Sequence, residues 1–467
     1  MYRRTRCLAR RVKYSRAVTT KISFAVCGVI DAAAAISKNE TIYLSLMKQI
    51  FQHRGLRLIF LANLISMIGS GMNSAAVNWY ILQKTHSEMA LGTLVILMTI
   101  PAMCLLPFSG VIIDREDRRI LVMSLDAVRA VIIAAVAILA YRGTVQLWQV
   151  YGMVMLVAAG FYMFWPTITA LIQELTPETQ FVHSNAFLLA GVQGGWLIAG
   201  AIVGFVYNHI GLGGVLFLDV TSYVASFSCY LLVRKGRHTV QPAERDTLAI
   251  EIHEAEGAIA RFWTDMQQGW KYVAANRYLV MIGASWSLFL AGMMTQNVLT
   301  APMSERLLHA GAVGYGWLNA GWGTGALTSV AYTAWLIQKS GGRRAIALSM
   351  GVMGVMLFVM PLTALLPLAV LMYLVAGSAR GVGGVAINAT VMEIVPKHFM
   401  GRVQNMFFFF GMLMQIVISY VVGVVAHTTA LTFGFWIVAS VYTISCFASL
   451  WPTRAQVASQ AEGSAAD

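Results

Sequence analysis

Between residues 57 and 450 the chain alternates apolar runs of about 20 residues with short polar breaks. That length suits a helix rising 1.5 Å per residue across a hydrocarbon core of about 30 Å. The runs fall near 57–83, 88–112, 120–141, 145–170, 184–207, 212–233, 277–300, 312–336, 343–363, 367–390, 403–426 and 431–450, which predicts twelve crossings. Barrel strands would show short segments of alternating polarity instead. A backbone facing lipid must also satisfy its polar groups internally, so the spans are read as helices.

The longest break, 234–276, divides six spans from six. Its later part places Ile259, Phe262, Trp263, Met266, Trp270 and Val273 at helical spacing, which predicts an amphipathic helix along the cytoplasmic membrane surface. The expected organisation is therefore an N-terminal extension at 1–56, a six-helix bundle at 57–233, a linker at 234–276, a second six-helix bundle at 277–451 and a tail at 452–467. The fold class expected is an all-α integral membrane protein. Composition agrees, since 58% hydrophobic and 11% charged residues exclude an ordinary soluble domain or a disordered chain.

The formal charge of +13 suggests an anionic partner until its distribution is read. Eleven of the basic residues and two of the acidic ones lie in positions 1–56, so the remainder is close to neutral. With twelve spans both termini share a side. Placing them in the cytoplasm leaves only Lys84, Arg142 and Arg306 in the outer turns, a positive-inside pattern that survives omission of the extension. The extension is read either as a disordered, lipid-attracted tail or as the product of a translation start set upstream of Met47. Asp31 interrupts its weak apolar core, against a signal peptide, and it carries no aromatic platform for nucleic acid. Five widely spaced cysteines suggest neither a disulfide scaffold nor a zinc site, and no phosphate-binding GxxxxGK[ST] loop occurs, so neither a cofactor nor a metal is expected.

The two halves echo each other. Glu174, Pro177 and Asn185 after the fourth span have counterparts in Glu393, Pro396 and Asn405 after the tenth, and DREDRR at 114–119 is answered by KSGGRR at 339–344. Repeated helical halves are usual in transporters whose substrate site lies between them near mid-membrane.

These motifs carry a resemblance. GVIIDREDRR at 110–119, Trp165-Pro166 with the following LTPE, YGWLNAGWGTGAL at 315–327 and PKHFMGRVQN at 396–405 resemble the major facilitator superfamily, and most nearly its bacterial drug-efflux branch of macrolide exporters and the enterobactin-exporter type. The likeness covers about 57–451. It implies a major facilitator-type twelve-helix transporter in the bacterial inner membrane, with proton-coupled antiport and no enzymatic activity. It also implies that Asp114 and Arg118 latch an outward-facing state and release as the inner gate opens. The residues agree with such a role: Gly110 permits close helix approach, and Asp114, Arg115, Arg118 and Arg119 can pair with helix ends, carboxylates and lipid phosphate. The second half departs from the signature, with Lys339 where an acid is expected, so a symmetric second latch is not expected.

Further candidates follow from charge inside spans. Asp126 and Arg129 are three apart and share a helical face, which points to gating or a structural pair. Glu174 and Glu393, at helix ends, read as gate or cap residues. Asp219 is a candidate proton-responsive carboxylate or a packing group, and Arg380, near the middle of span ten, must face a cavity or pair with a carboxylate, which makes it a candidate for proton coupling, for contact with an anionic substrate, or for a structural pair. Polar candidates for a substrate cavity are Asn73, Asn78, Gln193, Gln296, Asn297, Asn319 and Gln415, with Trp165 and with Trp79, Trp196, Trp286, Trp317 and Trp322. Each is alternatively an interhelical hydrogen bond, an interfacial anchor or packing.

The function expected is export of an amphipathic organic compound, such as a drug, a macrolide-like molecule or a siderophore, by a monomer in contact with lipid and protons. Import or transport of a native metabolite or lipid by the same fold is the alternative, and a membrane sensor a more distant one.

Overall fold

The computed structural model describes residues 54–109, 112, 113, 116–176, 181–233 and 248–450. The apolar runs form α1 (Arg54–Thr85), α2 (Glu88–Leu105), α3 (Arg118–Tyr141), α4 (Leu147–Leu175) and the long α5 (Phe181–Leu232). After the linker helix α6 (Leu248–Ala275) come α7 (Arg277–Pro302), α8 (Gly311–Ser340), α9 (Gly342–Val359), α10 (Leu366–Ile394), α11 (Lys397–Thr428) and α12 (Leu431–Leu450). Among the described residues ten helices are long and apolar enough to cross a membrane. That number rises to the expected twelve for two reasons.

First, α5 is two spans in one ladder. Gly211 takes φ 63° and ψ −170°, a conformation that turns the chain between arms 181–210 and 212–232. Second, α8 is long enough but falls outside the apolarity count, because one face carries Asn319 and small residues toward a cavity. Helix ends differ from the predicted ones by a few residues. The largest differences are that α2 stops at Leu105 rather than 112 and that α11 begins at Lys397 rather than 403.

The helices form two bundles that touch each other, and the contact runs through matching spans. The second span meets the eleventh and the fifth meets the eighth, which is the pairing a two-fold repeat of six-span halves requires. Both crossings depend on missing side chains. A Cβ on Gly92 of α2 would stand 2.8 Å from the Ser419 carbonyl of α11, and one on Gly204 would stand 2.9 Å from Val313 Cα of α8. Small residues allow helix backbones to approach in lipid, where apolar burial gives no drive to associate.

The repeat extends to hydrogen bonds. Arg119, opening α3, donates to the carbonyls of Tyr230 (2.8 Å) and Leu231 (2.7 Å) at the end of α5, while Arg343, opening α9, donates to those of Ser449 (2.6 Å) and Leu450 at the end of α12. Each arginine thus caps carbonyls that a helix C-terminus leaves unpaired. The equivalent of Arg119 is Arg343, one residue away from the alignment of DREDRR with KSGGRR.

The amphipathic α6 packs on the second half. Phe262 and Trp263 meet Phe409, Trp270 meets Phe410, Tyr272 stacks on Phe399 at 4.7 Å, and Asp265 accepts from Arg402 at 2.7 Å. Met266 and Val273 are buried, whereas Ile259 and one face of Trp263 and Trp270 remain exposed. The apolar stripe is therefore shared between the bundle and the exterior. The extension before Arg54 and the tail after Leu450 lie outside the described residues.

The interface between bundles yields a direct test. Gly204→Val places branched carbons against backbone that cannot yield, which should cost about 1–3 kcal/mol as overpacking. Gly152→Ala, at a helical site with nothing within 4 Å of the added carbon, should be neutral or slightly stabilising. Melting in detergent followed by tryptophan fluorescence should separate the two; equal melting temperatures would refute the close-contact account.

Candidate functional site

Between the bundles lies a cavity of about 360 Å³. The first bundle contributes Ser70, Asn73, Ser74 and Asn78 from α1, Met98 from α2, Met153, Phe161 and Tyr162 from α4, and Gln193, Trp196 and Tyr223 from α5. The second contributes Met293 and Asn297 from α7, Tyr315, Asn319 and Trp322 from α8, Arg380 from α10 and Gln415 from α11. The wall is mostly apolar and aromatic with a few convergent polar groups, the usual make-up of a small-molecule site. Among the described lining residues Arg380 is the one charged side chain.

Behind the wall of the first bundle is a buried polar network. Asp126 and Arg129 meet at 2.5 Å, with both side chains almost wholly buried, as their i, i+3 spacing on α3 permits. Ser226 donates to the other Asp126 oxygen at 2.7 Å, and the Arg129 guanidinium lies over Phe164 and Tyr223, 4.7 and 4.6 Å from the ring centroids. Gly160 makes room for it, since a Cβ there would be 3.0 Å from Arg129 Cδ. Arg129 also donates to Tyr223 Oη at 3.3 Å, and Tyr223 meets Ser70 at 2.9 Å, so the network reaches the cavity wall.

Asp219 reaches the cavity by a shorter path. It is fully buried and accepts from Asn73 Nδ2 at 2.7 Å and from Ser222 Oγ at 3.3 Å, and Asn73 is itself a lining residue. The lack of a side chain at Gly69 leaves space for this carboxylate, 2.5 Å from where a Cβ would sit. A single amide thus separates a membrane-buried carboxylate from the place a substrate would occupy.

The two ends of the cavity differ. At the end formed by the turns around 86, 308 and 429, Glu88 is fully buried and pairs with Arg306 at 2.6 Å and with His427 at 3.4 Å. The contact of Glu88 Oε1 with Arg306 is electrostatic without hydrogen-bond alignment, and Arg306 donates instead to the His86 carbonyl at 2.6 Å. Deeper, Gln415 donates to Thr99 at 2.6 Å, and Trp79 stacks on Tyr315 at 5.9 Å. Every hydrogen bond and ion pair between the halves among the described residues lies on this side, which is the closed end.

At the opposite end the ion pair of Arg118 with Glu174, at 2.8 Å, joins α3 to α4 within the first bundle, and Arg118 also donates to the Ala170 carbonyl. Gly110, Asp114 and Arg115 lie outside the described residues, as do Pro177 and the side chain of Asn185. Glu393, the repeat-mate of Glu174, is exposed and has no ion pair among the described residues. The place of Arg118 is taken in the second half by Gly342, packed against Thr390.

Of the residues expected at a substrate site, Asn73, Asn78, Gln193, Asn297, Asn319, Gln415 and Arg380 line the cavity together. Two do not. Gln296 is buried on the side of α7 away from it, because neighbouring helical residues point about 100° apart and Asn297 takes the cavity face. Trp165 is half-buried outside the lining. Of the other tryptophans, Trp196 and Trp322 line it; Trp79 and Trp286 are packing residues, and Trp317 is exposed against Phe205. The sequence reading did not single out Glu88, His427, Thr99 or Tyr223. Only Glu88, a charge directly at the start of an apolar run, gave a signal that could have been followed.

Comparisons with known proteins agree with this architecture. Residues 59–419 match the family model described as Major Facilitator Superfamily. The chain is 23% identical over 372 residues to the MFS-type transporter YkuC of Bacillus subtilis, covering 76% of this chain and 82% of that protein. It is 23% identical over 176 residues to macrolide efflux protein A of Streptococcus pyogenes, covering 38% and 44% respectively. Among solved structures, nucleoside transporter NupG superposes with a TM-score of 0.65 at 14% identity over 85% of this chain and 98% of that one. A POT family transporter in complex with a thioalcohol-conjugated peptide superposes at 0.67 with 13% identity, over 85% and 95%. At these identities the solved structures speak for the fold alone. Two six-span halves around a shared cavity, matched along most of their length by one family model, make this chain a member of the Major Facilitator Superfamily, a multi-pass membrane protein with the fold of a secondary transporter and not of an enzyme.

Proposed function

We propose that the chain carries a metabolite-sized amphipathic organic molecule across the membrane by alternating access, with the substrate held in the cavity between the halves. The observation that carries this reading is a single cavity walled by both bundles and sealed between them at one end. Its volume of about 360 Å³ is near the lower end of the roughly 300–1,000 Å³ range of small-molecule sites, which favours a native metabolite over a macrocycle. The distribution of lysine and arginine supports placing the closed end outside and the opposite end in the cytoplasm.

In this reading the Glu88 cluster is the outer gate. Opening it exchanges the pairs Glu88 makes with Arg306 and His427 for water, while the inner end closes around Arg118, Glu174 and the signature loop that holds Asp114. Asp219 couples the cycle to protons: substrate that engages Asn73 withdraws its amide from the carboxylate, so protonation of Asp219 and occupation of the cavity influence each other. The Asp126–Arg129 pair holds α3 in register with α5 while these ends move.

Export of a drug is a second reading, favoured by the partial likeness to macrolide efflux protein A. Accumulation in right-side-out and inside-out vesicles distinguishes the two directions.

Three outcomes are expected from purified protein in proteoliposomes. Screening a metabolite and drug library by counterflow should find a substrate whose exchange needs no imposed gradient; a complete lack of exchange across the library would contradict the carrier reading. Asp219→Asn should abolish accumulation driven by a proton gradient while sparing counterflow, and full gradient-driven accumulation in that variant would remove Asp219 from coupling. Arg306→Ala should loosen the outer gate more than Glu88→Gln does, because it strips the main partner from a buried carboxylate, whereas Glu88→Gln removes the buried charge itself. Maleimide labelling of Thr99→Cys from outside should rise in that order, and equal labelling in both variants would argue against the clasp.

A further inference from the structure

Arg380 stands apart from the other described arginines that form ion pairs. Arg118, Arg129, Arg306 and Arg402 each meet a carboxylate, on Glu174, Asp126, Glu88 and Asp265. Arg380 meets none among the described residues, although it lies midway along α10 where a bare cation is most costly. Its Nε donates to Met293 Sδ at 3.0 Å, a weak acceptor that supplies no charge. That contact engages Nε, and the two terminal nitrogens make no hydrogen bond among the described residues, while Arg380 itself lines the cavity.

The surroundings decide what those nitrogens are for. No aspartate or glutamate is among the described lining residues, so nothing in the wall neutralises the guanidinium. Asp219, the carboxylate linked to the wall, is turned away and engaged by Asn73 and Ser222. Asn297 and Gln193 reach the cavity without a hydrogen bond among the described residues, offering amides on either side, and Trp196 and Trp322 supply flat apolar surface. A planar guanidinium with a free terminal pair binds carboxylate end-on through two parallel hydrogen bonds.

We infer that the cavity is a receptor for an amphipathic organic anion, whose single carboxylate-type group sits on the Arg380 terminal nitrogens and whose apolar body lies against Trp196 and Trp322. This rests on the reading of the cavity as the transport site and names the class of its cargo. The same arrangement selects against organic cations, which would meet the Arg380 charge with no carboxylate to offset it.

The test compares three probes on the purified full chain by calorimetric titration: 1-naphthaleneacetate, its uncharged amide 1-naphthaleneacetamide, and tetraphenylphosphonium. The wild type should bind the acid about tenfold or more tightly than the amide, with the cation weakest. Arg380→Gln should lose that preference while binding the amide as the wild type does, which also shows that its cavity is intact, and Arg380→Lys should keep part of it. An acid-to-amide ratio near one in the wild type, a ratio that survives Arg380→Gln, tighter binding of the cation, or no binding of the acid would each overturn the assignment. Counterflow in proteoliposomes separates this from the carrier reading: Arg380-dependent binding of the acid without any exchange would leave the anion site standing and remove transport, whereas exchange of the amide or the cation alone would do the reverse.

Discussion

The close approach of helix backbones at Gly92 and Gly204 is the constraint on which the rest of the structure depends. It brings α2 onto α11 and the arm 181–210 onto α8 at one end of the molecule. Because those helices meet there, Glu88 can be buried against Arg306 and His427, and Thr99 can accept from Gln415. The same helices line the cavity through Met98, Gln193, Trp196, Asn319 and Gln415. Lipid supplies no apolar drive for helix association, so this seam is held by packing and a few polar pairs. An interface of that kind can be exchanged for another at modest cost, which a carrier requires.

The polar groups buried around the cavity are unequal in kind. Asp126 and Arg129 satisfy each other, are shielded by Phe164 and Tyr223 and do not line the cavity. Asp219 is satisfied by neutral donors, one of them, Asn73, on the cavity wall. Arg380 has no carboxylate among the described residues and faces the cavity itself. The order of burial, from closed pair to neutral partners to open cation, follows the order of the tasks proposed for them: support, coupling and recognition.

Much of the fold was legible because membrane burial imposes a length on every apolar run, and the twelve runs became twelve crossings. The amphipathic spacing of Phe262, Met266 and Val273 likewise appears in the packing of α6 on α11. The cavity was legible in part, since polar residues inside spans are few and most of those flagged converge there. What the sequence could not supply was direction. Gln296 and Asn297 are adjacent and chemically alike, and only the rotation of α7 decides which faces inward. The Glu88 clasp was hidden for a different reason: its members sit at three helix ends far apart along the chain, and of them only Glu88 carried a signal of its own. The latch signature remains a reading of the sequence at Gly110, Asp114 and Arg115, which lie outside the described residues.

The central claim is that the two ends of one cavity open in alternation. Spin labels at Lys84 and Thr428 span the closed end from one half to the other, and labels at Glu116 and Lys339 span the opposite end; all four side chains are exposed. Pulsed electron-electron distance measurements on both pairs, with and without a transported substrate in lipid nanodiscs, test the claim most directly. The account predicts that the first distance lengthens in the same conditions in which the second shortens. Distances that stay fixed, or that lengthen and shorten together, would contradict it.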